Sequence, residues 1–428
     1  ISVWVKLGDL TQPTIFHTGP QEGTGNNEFH FDINGDGTWG ISETTSGSEI
    51  YHKKTTAILR DPTAWYHLLA IINTNDDSAE NRIKMFINGV RVTAFNTSTN
   101  PSSGATVRFT ADENNRIAVR TTTAPSTSQY DGYMAEFVKL DGYNSYTEDN
   151  FGEFDANGIW IPKDPSSLTF GTNGCWLDFA VAPGTGDGAG TDVSGEDNHF
   201  TEVSMTSAQQ TTDSPTDSGS DIGNYCTWNP LEIGDPANPT TFSNGNLTSD
   251  GSTNNHVTLG TIGVTSGKWY WEWKWVSGGT SGNKLTGIAY ENVQRYYDGS
   301  PPADGYLGGD NKGWGYYANG TLYHNNSTST YGDSYTTGDI IGVALDMENG
   351  AVWFSKNNTW QDSATVGEIE AGTTTNAAAT GLSGTVLPAM SALDASVCNG
   401  YFGAGGFEYT PSTAFKKLNT ANLSAPSI

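Results

Sequence analysis

Positive charge is scarce in this chain. Lys and Arg number 20 against 47 Asp and Glu, a net charge of −27. A polyanionic surface repels phosphate and no basic stretch offsets it, which excludes nucleic-acid binding as the main function. Charged residues of either sign make up only 16%, below the roughly 25% of ordinary soluble domains, so Thr, Ser, Asn and Gly carry the polar surface. Cysteine numbers three: Cys175, Cys226 and Cys398. The odd count argues against a disulfide framework. Two readings remain, a single Cys175–Cys226 pair or three small core hydrophobes. There is no CxxC and the seven His are dispersed, so no structural zinc site is expected. No apolar run reaches the roughly 18 residues of a membrane-spanning helix, and membrane insertion is not expected. Helical periodicity with caps is also missing; only Thr147-Glu-Asp-Asn-Phe151 offers a short helical turn.

What is present is turn-rich and aromatic. Gly accounts for 52 of 428 residues, aromatics are 11% and Trp alone is 13, too aromatic for a disordered chain. Over residues 1–160 the text is strand and turn. Glu28-Phe-His-Phe-Asp32 alternates, Asn34-Gly-Asp-Gly37 turns, and Thr38-Trp-Gly-Ile41 resumes. Trp65–Ile72 is an apolar run suited to a central strand. Arg82–Ile87, Asn88-Gly89 and Val90–Thr93 form the clearest hairpin, its Asn-Gly pair fitting a type I′ turn. Residues 161–240 turn to Pro, Gly, Thr, Ser and Asp around one strand-like island, Cys175–Phe179. That island either supplies a strand to the first domain or forms a small extra hairpin. Residues 241–422 return to strands, with Gly267–Val276 dense in Trp at every second position. The fold class read from this pattern is all-β. Two jelly-roll-like β-sandwich domains, 1–160 and 241–422, are joined by a Gly/Pro/Thr-rich connecting region, 161–240, which is expected to touch the first domain and offers residues to complete its sandwich. Ile1-Ser-Val-Trp-Val5 already alternates, so the chain is expected to begin inside a longer polypeptide, with residues 423–428 opening a linker to further chain.

Two ordered sets of motifs resemble known families. Val3-Trp-Val5, Trp65-Tyr-His67, Ile83-Lys-Met-Phe-Ile-Asn-Gly-Val90 and Asp131-Gly-Tyr-Met-Ala-Glu-Phe137 resemble the laminin-G-like, concanavalin A-like lectin/glucanase superfamily. Asp192-Val-Ser-Gly-Glu-Asp-Asn-His199 looks like the D-x-S-G-x-x-N loop of that superfamily, although it comes late in the chain. Gly267-Lys-Trp-Tyr-Trp-Glu272, Trp314-Gly-Tyr-Tyr317, Gly338–Asp346, Val352–Asn357, Leu387–Met390 and Asn399–Phe402 resemble the SPRY domain. The pairing, with Tyr225-Cys-Thr-Trp-Asn-Pro-Leu231 between the modules and Phe415–Leu423 at the close, is similar to large structural proteins of marine bacteriophages. That resemblance implies a virion protein (tail fibre, appendage or capsid decoration) whose partners are host-surface glycan or other virion proteins. It also implies a homo-oligomer, a trimer or higher. The alternative is a secreted or cell-surface bacterial adhesin or scaffold using the same modules for protein–protein interaction; a polysaccharide-degrading enzyme is the third and least favoured reading.

The sharpest site motif is Asp32-x-Asn34-x-Asp36-Gly37-x5-Glu43, which satisfies the calcium-loop pattern. Alternating oxygen ligands, a Gly for the turn and a distal carboxylate suit a hard cation. The flanks read as strands, so an EF-hand is excluded, and calcium at the loop competes with a plain polar hairpin tip. Asp192, Glu196 and Asp197 form a second acidic loop. No other cofactor is expected. Enzymatic chemistry finds no support: no strand carries the closely spaced acid and nucleophile of a glycosidase, and G-x-S-x-G is absent. His67, in an apolar strand, reads as a packed core residue. Trp269, Trp271, Trp273 and Trp275 share one strand face and read as sandwich core rather than a sugar platform. The candidate ligand-binding aromatics are Tyr296, Tyr297, Tyr306, Tyr331 and Trp360, in loops among Gly, Asp and Asn.

Overall fold

The computed structural model describes all residues except 9–13, 20–26, 111–112, 121–128, 144, 233–238, 252–255, 280–283, 296–304, 393–394 and 425–428. The described chain is built of strands, one short α-helix and single 3-10 turns, and divides into two compact units, Ile1–Thr211 and Thr212–Ile428.

In the first unit the strands are β1 (Ser2–Leu7), β2 (Thr14–Thr18), β3 (Asn27–Ile33), β4 (Thr38–Thr45), β5 (Ser48–Ile58), β6 (Trp65–Ile72), β7 (Ile83–Ile87), β8 (Val90–Arg91), β9 (Phe95–Thr99), β10 (Asn115–Ile117), β11 (Gly132–Lys139), β12 (Gly152–Phe154), β13 (Trp160–Pro162) and β14 (Cys175–Leu177). They form two six-stranded sheets, β14-β11-β1-β6-β7-β8 and β10-β2-β3-β4-β5-β9, and a β12–β13 hairpin. Period-two alternation makes the sandwich. Val3, Val5, Leu7, Leu68, Ala70, Met85 and Phe137 of one sheet meet Phe16, Phe29, Phe31, Ile33, Trp39 and Ile41 of the other in a single core. The Asn88-Gly89 turn has φ of 49° and 73°, the doubly positive geometry of type I′.

The outer face of the first sheet is itself apolar and has to be covered. Trp160 of the β12–β13 hairpin packs on Trp4 and Trp65, while Phe151 and Phe170 pack on Leu69, Phe86 and Val138. β14 adds antiparallel to β11, pairing Lys139 with Cys175. Residues 161–211 therefore belong to the first unit, and the compositional linker of 161–240 is divided between the two. The loop after β14 is tied down by one side chain. Asp192 accepts from the Trp176, Ser194 and Asn198 amides at 2.8–2.9 Å and from Ser194 Oγ, while Asn198 Nδ2 donates to Thr172 and Gly174 carbonyls. The Thr147–Phe151 turn is a single 3-10 turn at Glu148–Asn150.

The second unit holds β15 (Thr241–Ser243), β16 (Thr248–Asp250), β17 (Thr258–Leu259), β18 (Lys268–Ser277), β19 (Lys284–Tyr290), β20 (Gly313–Tyr317), β21 (Thr321–His324), β22 (Ser327–Thr330), β23 (Ile340–Asp346), β24 (Ala351–Lys356), β25 (Thr359–Trp360), α1 (Val366–Ala371), β26 (Val386–Ala392), β27 (Val397–Tyr401) and β28 (Lys416–Lys417). One sheet runs β15-β16-β27-β18-β23-β24-β25 with β28 beside β18, and the other β17-β26-β19-β20-β21-β22. Trp269, Trp271, Trp273 and Trp275 all enter the core between them. Tyr270 faces the other way, against Trp353 and Phe415. The helix α1 begins at a capping box, with Thr365 and Glu368 bonded reciprocally, and ends at Gly372 with φ 69°. The Thr-x-x-Glu spacing that encodes such a box lies in a segment too short to show helical periodicity.

Candidate functional site

The most concentrated chemistry of the first unit lies on the outer face of its second sheet. Because Phe29, Phe31 and Ile33 of β3 point into the core, Glu28, His30 and Asp32 point away from it. His17 of β2 is the cross-strand partner of His30, and Arg116 of β10 is the partner of His17. The two imidazole centroids lie 5.0 Å apart. His30 Nε2 is 3.0 Å from Glu28 Oε2 and His30 Nδ1 is 3.3 Å from Asp32 Oδ2. Arg120 Nη2 pairs with Glu28 Oε2 at 3.0 Å, and Arg116 Nη1 donates to the Gly19 carbonyl at 2.9 Å. His17 is 0% exposed and Glu28 3%. Burial first, then the neighbouring His30, Arg116 and Arg120, push the His17 pKa down to about 3, so its imidazole is neutral at ordinary pH.

The four residues of the calcium-type spacing are not brought together. Asp32 and Glu43 occupy opposite faces of the sheet, because Glu43 pairs with core-facing Phe29, whereas Asp32 pairs with Gly40. Glu43 is buried, accepting from Tyr51 Oη at 3.0 Å and the Arg108 amide at 2.9 Å, and burial raises its pKa. Asn34 Nδ2 donates to the Thr38 carbonyl, and Asp36 accepts from Thr38 and from Lys54 Nζ at 2.8 Å. The Lys54 bond, with those from Thr38, holds the Asp36 carboxyl down at about 2. An all-oxygen cage needs its ligands on one side of a tight loop. Here the segment is a β-hairpin instead, and its tip is closed by these internal bonds.

The loop aromatics are likewise separated. Tyr296 and Tyr297 lie outside the described residues. Tyr331 is corrected from surface to core: it is buried, edge-on to Tyr316 and Phe354, and its hydroxyl accepts from the Phe354 amide at 3.0 Å. Trp360 is half-buried against the cluster of Tyr270 and Trp353. Tyr306 is half-buried edge-on to Tyr323, its hydroxyl 3.2 Å from Asn326 Oδ1. A second half-buried group, invisible to composition, stacks Trp314 on His324 at 4.4 Å with Tyr290 edge-on at 5.4 Å. In the first unit a groove of about 230 Å³ is lined by Asn73, Asn75, Asp141, Tyr143 and Tyr146 among others. That is smaller than the roughly 300–1,000 Å³ of deep small-molecule pockets, and suits rim contact rather than enclosure. His67 is a core residue. Trp160 Nε1–H donates to its Nδ1 at 3.0 Å, which places the ring proton on Nε2, facing Ser2 Oγ at 2.7 Å. Burial pushes its pKa down to about 3. The three cysteines are buried and none is joined in a disulfide.

Comparison with known proteins agrees with this architecture. Residues 1–148 match the concanavalin A-like lectin/glucanases superfamily, and residues 268–404 match the SPRY domain. The chain is 34% identical over 102 residues to the ATP-dependent RNA helicase DDX1 of Xenopus laevis, a match covering 24% of this chain and 12% of that protein. The SPRY domain of human HERC1 aligns at 17% identity and TM-score 0.28, covering 43% of this chain and 99% of that one. Domains of these two kinds are generally binding modules for protein or carbohydrate. The chain thus carries a laminin-G-like domain of the concanavalin A-like superfamily, followed by a SPRY domain.

Proposed function

We propose that this chain is a non-catalytic recognition protein of a bacteriophage particle, a tail-fibre, appendage or capsid-decoration component. Its two sandwiches would carry contact loops toward a host-surface glycan or neighbouring virion proteins. The reading rests on one observation above all: two domains of binding type stand in series on a single chain, each with its interior filled by aromatic and aliphatic side chains. A rigid sandwich of this kind leaves recognition to rims and loops. The charge of −27 supports the reading, since it keeps closely spaced copies soluble and disfavours adhesion to nucleic acid. The same role calls for several copies, as a homotrimer or higher.

Mass spectrometry of density-banded particles, compared with the cell envelope and culture supernatant of the same source, tests the placement. Peptides of this chain co-banding with particles are expected. Recovery only from the bacterial surface or medium overturns the virion assignment in favour of an adhesin. A glycan array, run beside a pull-down from disassembled particles, separates sugar from protein as the ligand.

A further inference from the structure

We propose that His17, Glu28 and His30 form a three-ligand binding site for a first-row transition-metal dication of the Zn2+ type, with the fourth position left to solvent and Asp32 orienting His30. Each of the three residues offers a ligand atom, and these atoms lie within 4.8 Å of one another. A tetrahedral zinc site holds its ligands about 3.3 Å apart at bonds of about 2.0–2.2 Å, so small side-chain rotations close the set around an ion. The backbone supplies the rest of the geometry. His17 and His30 face each other across adjacent strands, and Glu28 is two residues from His30 on the same face.

Unsatisfied atoms mark the place where an ion would sit. His17 Nε2 and Glu28 Oε1 are buried with no hydrogen-bond partner among the described residues. Those residues are 0% and 3% exposed. Buried polar atoms left unpaired cost stability, and two of them bordering one imidazole are accounted for by a shared cation. Glu28 has its other oxygen on Arg120, which leaves Oε1 to coordinate. If His30 binds through Nε2, its Nδ1–H donates to Asp32 Oδ2, 3.3 Å away. That is the carboxylate–imidazole–metal relay that fixes tautomer and ring orientation at metal sites. Two imidazoles and a carboxylate favour Zn2+ and its neighbours over calcium, which takes oxygen ligands. The expected absence of zinc rested on linear spacing, whereas this set is assembled across two strands.

Arg116 and Arg120 oppose the ion, since their charges balance those of Glu28 and Asp32 in the empty cluster. Affinity is therefore expected below that of cysteine-rich sites. It is also expected to rise on the order of tenfold in Arg120→Gln, which removes one opposing charge at short range.

The test is titration of the purified, chelator-treated full chain with Zn2+ against a chromophoric competitor, and with Co2+ in the visible. The expected result is one equivalent bound, intense four-coordinate Co2+ absorption, a rise in melting temperature with Zn2+, and a loss of affinity of at least 30-fold (about 2 kcal/mol) in His30→Gln and Glu28→Gln. No stoichiometric binding, a pale six-coordinate Co2+ spectrum, or binding unchanged in these variants overturns the site. His30 is more exposed than His17, its side chain 13% accessible, so His30→Gln is the milder change. If a variant does not fold, the Co2+ spectrum of the unaltered chain and the Arg120→Gln affinity decide.

Discussion

Replacing Trp273 with alanine separates a Trp stripe that is core from one that is a sugar platform. Trp273 is fully buried at the centre of β18, edge-on to Tyr335 at 5.9 Å, with its indole nitrogen 3.4 Å from Met390 Sδ. Its neighbours come from both sheets, so the cavity cannot collapse by moving one strand. Truncation of such a side chain costs about 3–5 kcal/mol. For a unit the size of Thr212–Ile428, each kcal/mol lowers the melting temperature by roughly 2–4 °C, so a fall of about 6–20 °C is expected. Scanning calorimetry of the full chain reads it directly. Trp360→Ala, at a half-buried edge position, costs about 1 kcal/mol and serves as the control. A Trp273→Ala chain that melts within about 2 °C of the parent while losing carbohydrate binding would refute the core assignment.

Further outcomes follow from the same packing. The folded pKa of His67, about 3, lies below the unfolded value near 6.5. Its contribution to stability is thus complete above pH 6.5 and is lost as pH falls toward 3; the stability gap between the parent and His67→Gln should narrow between pH 7.5 and 4.5 in denaturant melts. Gly89→Ala puts a Cβ 2.5 Å from the Trp160 ring at a φ of 73°, and is expected to cost more than the roughly 1–2 kcal/mol of an unhindered left-handed position; a melting temperature equal to that of the parent contradicts it. Asp192→Ala removes the acceptor that closes the loop after β14, and hydrogen exchange should quicken at the Trp176, Ser194 and Asn198 amides while the β3–β4 amides keep their protection.

Alternation made most strands readable, and the Asn88-Gly89 turn, the buried His67 and the inward Trp stripe follow from local rules. The extent of the first unit was readable only in part: Cys175–Phe179 stood out as a candidate strand for it, but the boundary near residue 211 did not. Residues 161–211 have the composition of a linker, yet a few aromatic anchors, with Phe170 and Trp176 among them, attach the segment to a sheet face that needs cover. Averages over composition dilute such anchors. The calcium-type spacing misled for a related reason: a linear pattern defined on a helix-flanked loop places Asp32 and Glu43 together, whereas strand pairing sends them to opposite faces. Glu28-x-His30-x-Asp32 was visible as alternation, but its partner His17 becomes apparent only once the register of β2 against β3 is known. Tyr331 sits between Gly and polar residues like a surface tyrosine; only the long-range contact with Phe354 reveals it as core.

Recognition without turnover is tested most directly by following reducing-end release while the full chain is incubated with the polysaccharides it retains on an array. Binding with a flat time course is the expected result. A linear release of reducing ends that disappears in Glu28→Gln would contradict it, and would make the carboxylates on the outer face of β3 catalytic.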